Sequence, residues 1–110
     1  MQSAESVKLI IDNDDKDALF IVSSDRFCRK IISHIIGGQK SAKEISNESG
    51  IPIGTVYRKI HLLKKQKLLK ITGIITPDAK KAFYYKSRIK TICTKYENGV
   101  LDVEIIPNCF

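Results

Sequence analysis

The sequence predicts an α+β fold, with a helical first half that gives way to two β-hairpins. Two observations carry that expectation. From Phe27 to Leu63 apolar residues recur at helical spacing, broken at Gly37-Gly38 and again at Gly50-Ile51-Pro52. From Leu69 onward they alternate instead, with turn residues at "TPDA" (76–79) and "NG" (98–99). A chain of 110 residues that is 43% hydrophobic and 28% charged suits one domain over 1–110 with a single modest core.

Taken in order, "VKLII" (Val7 to Ile11) is short and β-branched and predicts a strand. Asp12, Asp14, Asp15 and Asp17 follow where a helix begins. Carboxylates there favour the positive end of the helix dipole, and their spacing is not that of a calcium-binding loop. The first helix is expected over Asp17–Val22. The next is the clearest: Phe27, Ile31 and Ile35 fall at i, i+4 and i+8, and Cys28, Ile32 and Ile36 widen the stripe. Ser23 or Ser24 is expected to cap its start, and Gly37-Gly38 to end it through a left-handed backbone.

"SAKE" (41–44) is a capping box in which the Ser41 hydroxyl accepts from the amide of Glu44 and the Glu44 side chain reaches back. The short helix it opens buries Ala42 and Ile45 and stops near Gly50. Pro52 suits the first turn of a longer helix, where a missing N–H goes unnoticed. A capped short helix, a glycine turn and a proline-started helix make a helix-turn-helix pattern. On the second helix Ile53, Val56, Ile60 and Leu63 share one side at about 100° per residue. Gly54, Arg58, His61 and Lys65 project opposite, with Thr55, Tyr57 and Leu62 at the flanks. Such a face, small at its start and cationic beyond, suits a helix that reads base edges and meets phosphates. Gly54 has two readings, close backbone approach or a plain structural glycine. Tyr57 likewise either packs at the core rim or contacts phosphate.

In the alternating part, Leu69, Ile71 and Gly73 point one way, then Phe83, Tyr85 and Ile89 after the turn, with Lys86, Arg88 and Lys90 opposite. A hairpin directly after a helix-turn-helix is the wing of a winged helix, which makes the expected fold three to four helices with a wing. Lys80 and Lys81 lie just past its turn, placed for phosphate or a minor groove. The second hairpin has a defined register, because Asn98-Gly99 is the favoured type I′ pair. It sets Tyr96 opposite Leu101, Thr94 opposite Val103, Ile92 opposite Ile105 and Lys95 opposite Asp102. The inward parity is odd through Ile89 and even from Ile92, so a bulge is expected between them. Its apolar face needs cover from the N-terminal strand, the helical body or a second subunit.

Charge is segregated. Residues 51–95 hold 12 of the 19 basic residues and one of the 12 acids, Asp78. That is the one-dimensional footprint of a polyanion-binding face, against the plainer reading of a solvated lysine-rich surface. No apolar run reaches the roughly 20 residues of a membrane span, and the N-terminus lacks the basic start of a secretory signal, so a cytoplasmic protein is expected. Cys28, Cys93 and Cys109 are odd in number and far apart, and His34 and His61 stand alone. Neither a disulfide framework nor a metal site is expected, and no nucleotide-binding or catalytic motif is present.

With these residues assembled, "SAKEISNESGIPIGTVYRKIHLLKKQKLLKITG", continuing through the hairpin to "YYKSRI", resembles the ArsR-like winged-helix transcriptional regulators, particularly small archaeal members. The resemblance covers about residues 15–90, leaving 91–107 as an added hairpin. It implies a homodimer that binds a partly palindromic operator through the helix from Pro52 to Gln66. It also implies that the small and polar residues early in that helix, here Gly54, Thr55, Tyr57 and Arg58, contact DNA. The family's metal-sensing cysteines are absent from residues 41–66. Lys67 stands where a glycine usually follows the helix, so a different helix end is expected. The hairpin from Thr91 to Ile106 replaces a C-terminal dimerisation helix.

The expected function is therefore a nucleoid-associated regulator binding double-stranded DNA, with no enzymatic activity and no cofactor. Arg58 and His61 would face bases or phosphates, Thr55 and Ser41 the backbone, and Lys64, Lys65, Lys80 and Lys81 would supply charge. The alternative is a winged helix serving as a protein-interaction module within a transcription complex. RNA binding ranks third, because few aromatic residues interleave the basic ones in sequence.

Overall fold

The computed structural model describes residues 13–108. The strand expected at Val7–Ile11 lies outside them, as do Asp12 and Cys109. The order is α1 (Asn13–Ser24), α2 (Arg26–Ile35), α3 (Ala42–Ser49), α4 (Ile53–Lys65), β1 (Leu69–Ile75), β2 (Lys81–Ser87), β3 (Ile89–Glu97) and β4 (Val100–Pro107). It is an α+β arrangement of four helices and two antiparallel hairpins.

α1 is longer than the Asp17–Val22 expected, and this moves the next cap. The Ser23 and Ser24 hydroxyls donate to the carbonyls of Phe20 and Ile21 in the last turn of α1, so neither caps α2. Asp25, between the two helices, takes that role, accepting from the Cys28 amide at 2.8 Å. The far end of α2 differs too. Neither Gly37 nor Gly38 has a positive φ, and Ile36 keeps right-handed helical angles. Its carbonyl has a distant partner instead, the side-chain amide of Asn108 at 2.9 Å, so no left-handed turn is needed there.

α3 opens with both halves of the capping box on Ser41 and Glu44, and Gly50 closes it at φ 79°. That conformation favours glycine. The turn into α4 is tied by the Ser46 hydroxyl donating to the Ile51 carbonyl and the Ile51 amide donating to Ser49 Oγ. Pro52 is the cap residue just outside α4, and Ile53, expected inward, is 42% exposed because it lies beyond the packed part of the helix. Val56, Ile60 and Leu63 are buried.

Lys67 ends α4 in a left-handed conformation, φ 61°, a glycine's role taken by lysine. Its amide donates to the Lys64 carbonyl at 2.9 Å and the Leu68 amide to the Leu63 carbonyl at 3.1 Å. These are the two bonds of a Schellman closure, with Leu63 and Leu68 both buried beside them. The lysine noted at this position in the sequence therefore ends the helix in a left-handed conformation that ordinarily favours glycine.

The first hairpin pairs Leu69 with Ser87, Ile71 with Tyr85 and Gly73 with Phe83. Lys40 joins it through a reciprocal backbone bridge to Tyr85, at 3.0 and 2.8 Å. The second hairpin has the expected register, including Ile92 with Ile105, Thr94 with Val103 and Tyr96 with Leu101, and breaks between Ile89 and Thr91. Asn98 and Gly99 both have positive φ, as a type I′ turn requires. Lys95 lies opposite Asp102, but its ion pair is with Glu97, while Asp102 approaches Lys16 of α1 at 3.9 Å. Cover for the apolar face comes from α1, which packs on β4, and it fades toward the turn. Val103 is 5% exposed and Tyr96 75%. Among the described residues no helix is long and apolar enough to cross a membrane, and no group of three or more His, Cys, Asp or Glu could hold a metal ion.

Candidate functional site

The burial of Val56, Ile60 and Leu63 sets which side of α4 faces water. Gly54, Tyr57, Arg58, His61, Lys64 and Lys65 are all exposed, and Thr55 is half-buried at the edge. Arg58 folds back along the first turn, where its Nη2 donates to Thr55 Oγ1 at 2.9 Å. One guanidinium edge is thereby oriented by the helix itself, with further donors left over. Gly54 has no positive φ, and a Cβ placed there would meet just Arg58 Nη1 at 3.9 Å. Neither the backbone nor the packing of the described residues asks for glycine at this position. The small residue leaves open space at the start of α4.

Lys59, the remaining base of this helix segment, is diverted. It pairs at 3.2 Å with Asp25, across from the start of α2. Burial alone would raise the Asp25 pKa, but the Cys28 amide and the Lys59 ammonium outweigh it and hold the carboxyl below its ordinary value. Burial, reinforced by that carboxylate, pushes the neighbouring Cys28 thiol up to about 12, so it is a neutral core side chain. Cys93 is exposed.

Ser41, just before α3, has its hydroxyl and amide both engaged with Glu44 in the cap. The hydroxyl proton is still free to donate, which is the contact a phosphate would need. Nearby on α3, Glu48 is bound by Lys40 and lies 3.7 Å from His34. The hydrogen bond from Lys40 holds its carboxyl below the ordinary range.

The tip of the first hairpin is built around Thr76. The Thr76 amide donates to the Lys80 carbonyl at 2.7 Å, the Ala79 amide to the Thr76 carbonyl at 2.9 Å, and the Lys80 amide to Thr76 Oγ1 at 3.2 Å. Ala79 is forced to φ 63°. Lys80 extends from this tip with its side chain 81% exposed and 4.0 Å from Asp78, a surface pair worth little. Lys81 leans over the Phe83 ring, 5.3 Å from its centroid.

Between α4 and this hairpin lies an open groove of about 250 Å³, lined by Tyr57, Ile60, His61, Lys64, Ile71, Phe83 and Tyr85. Tyr57 is 56% exposed and lines the groove wall beside the buried Ile60 and Tyr85. Tyr85 is the floor, its phenol pKa raised by burial and further by nearby Tyr57. Phe83, expected inward, is 43% exposed because the hairpin projects past the body. The site residues thus form two groups on one helix, Gly54–Thr55–Arg58 at its start and Tyr57–His61–Lys64 against the hairpin. The alternation of β2 could have flagged Phe83, but not its position across from Tyr57. No model of a known protein family matches the chain, and a search of curated proteins finds no relative.

Proposed function

We propose that the protein is a sequence-specific double-stranded DNA-binding transcriptional regulator of winged helix-turn-helix type, ArsR-like in the character of residues 15–90. In this reading α3 and α4 are the helix-turn-helix, with α4 in the major groove. The first hairpin is the wing, set on the flanking backbone. The observation that carries it is the unopposed positive face of α4. Arg58, Lys64 and Lys65 are exposed and have no carboxylate partner among the described residues, and the exposed His61 ring lies on the same helix among them. Cations left uncompensated along one helix face suit phosphate, and the open space at Gly54 suits close approach to a base-pair edge.

A homodimer completes the proposal, because paired helices read two half-sites of an operator. A cytoplasmic, nucleoid-associated location follows from the same reading. Gel-shift titration with genomic fragments tests it. Binding should weaken steeply as salt rises, and a double variant Arg58→Ala, Lys80→Ala should bind far less. Absence of a shift at low salt, or equal binding by that variant, sinks the proposal.

One observation favours a protein-interaction module instead: Phe20, Ile21, Tyr96 and Val100 are large apolar side chains exposed away from α4. Pull-down before and after nuclease treatment separates the two readings, since a DNA-bridged partner disappears on digestion.

A further inference from the structure

Contact with an intact duplex does not call for aromatic faces, because stacked base pairs present edges in their grooves and phosphates outside. The groove between α4 and the first hairpin nonetheless offers two of them. Tyr57 on one wall is 56% exposed and Phe83 on the other 43%. Phe83 is braced: its ring lies across Gly73, where an added Cβ would stand 3.4 Å from Cε1, and the Lys81 ammonium sits over it at 5.3 Å. The floor is apolar, made by Ile60, Ile71 and Tyr85, while His61 and Lys64 stand among the lining residues. No carboxylate is among them. The ensemble is an apolar slot with aromatic walls and cations beside it, the combination that single-strand binders use to stack bases while tracking the backbone. A peptide would be served by apolar walls alone; the cations without acids favour a nucleic acid.

We propose that this groove accepts an unpaired DNA base, stacked on Tyr57 and Phe83, with the adjoining phosphates met by Lys64 and Lys81. The protein would then prefer duplex DNA that is opened or bulged next to the site bound by α4. This rests on the DNA-binding reading above and adds a preference for the form of the DNA. In sequence the two rings are separated by 26 positions, so only folding brings them to one groove.

The test uses three labelled duplexes of one sequence, followed by fluorescence anisotropy at low salt. One is fully paired, one carries a single unpaired nucleotide, and one carries an abasic residue at that position. The unpaired base should bind about tenfold tighter than either control, the scale of one base–aromatic stack. In the double variant Tyr57→Leu, Phe83→Leu that ratio should fall to about one. Both positions are exposed, and circular dichroism confirms that the variant is folded. A ratio near one for the unaltered protein overturns the proposal while leaving duplex binding intact. So does a preference that survives in the variant, or one shared by the abasic duplex. If none of the three DNAs binds, the DNA-binding reading itself fails, and this inference with it.

Discussion

The two hairpins share an architecture and little else. The first, β1–β2, carries four lysines and one aspartate between Leu69 and Ser87; the second, β3–β4, carries two lysines and three acids between Ile89 and Pro107. The first has its base bridged to Lys40, its Ile71, Phe83 and Tyr85 facing a groove with α4, and its tip in solvent. The second lies along α1 and meets α2 across a pocket of about 210 Å³ that includes Val22, Cys28, Ile32, Ile89 and Ile92. Shape alone would not distinguish them. The unbalanced charge of the first suits the proposed contact with a polyanion, whereas the second combines near-balanced charge with an apolar stripe packed on α1.

The contrast can be broken most forcefully at the buried anchor of each hairpin. Tyr85→Ala should lower unfolding stability by about 3 kcal/mol, since a large buried ring is lost from the floor of the first hairpin. Val103→Ala should cost less, about 1.5 kcal/mol for two buried carbons beneath the second. Urea titrations monitored by circular dichroism measure both, and equal losses would show that the hairpins are anchored alike.

Charge gives the next largest effect. Changing Lys64, Lys65, Lys80 and Lys81 together to glutamine should weaken DNA binding about 100-fold near physiological salt and reduce the log–log salt slope by about 3 to 4. Changing Lys90 and Lys95, the two lysines of the second hairpin, to glutamine should alter affinity less than about twofold, since the proposed interface does not include that hairpin. A comparable loss from both sets would end the distinction drawn between the hairpins.

Acid sharpens the comparison by acting on neither hairpin directly. The folded-state pKa of Asp25 is lowered, so its stabilisation is present above the ordinary carboxylate value of 3.8 and disappears as pH falls through the lowered one. Asp25→Asn keeps an acceptor for the Cys28 amide but does not titrate. Its stability should therefore fall less than that of the unaltered protein between pH 5 and pH 3. Parallel acid limbs would show that the carboxylate contributes nothing.

The turns supply the smallest effects, of opposite sign. Gly99→Ala should destabilise by about 1 kcal/mol, because it forces an alanine into a left-handed position that now holds glycine. Ala79→Gly should stabilise by about 0.5 kcal/mol, relieving that same strain at φ 63° less the added chain entropy. Thermal melts of the two variants should shift in opposite directions.

How far each feature was legible in the sequence depended on how local its cause was. The register of β3–β4 follows from Asn98-Gly99 and alternation alone, and every expected pair is present. The capping box at Ser41 is equally local. The failures trace to distant partners or to adjacent elements. Ser23 and Ser24 lost the capping role because α1 runs through them, and Gly37-Gly38 was not needed because Asn108 satisfies Ile36. The left-handed Lys67 left no mark, since lysine is not the residue type that announces such a turn. The outward side of α4 was readable from periodicity, whereas the groove beside it was not. Its walls come from two elements whose relative placement depends on the whole core.

The tie made by Asn108 has a consequence for the order of folding. Its side-chain amide holds the carbonyls of Ile36 and Ser87, each at 2.9 Å, and its own amide donates to Arg88 at the same distance. The first of these joins residues 72 positions apart. During synthesis the helices and both hairpins can form from near neighbours, each on a fast timescale. The base of the first hairpin is not latched to the end of α2 until residue 108 has left the ribosome. A nascent chain halted short of that point would have its first hairpin bridged to Lys40 through Tyr85 but not yet tied to Ile36, so this tie is the later of the two hydrogen-bonded links that seat the hairpin on the helical body.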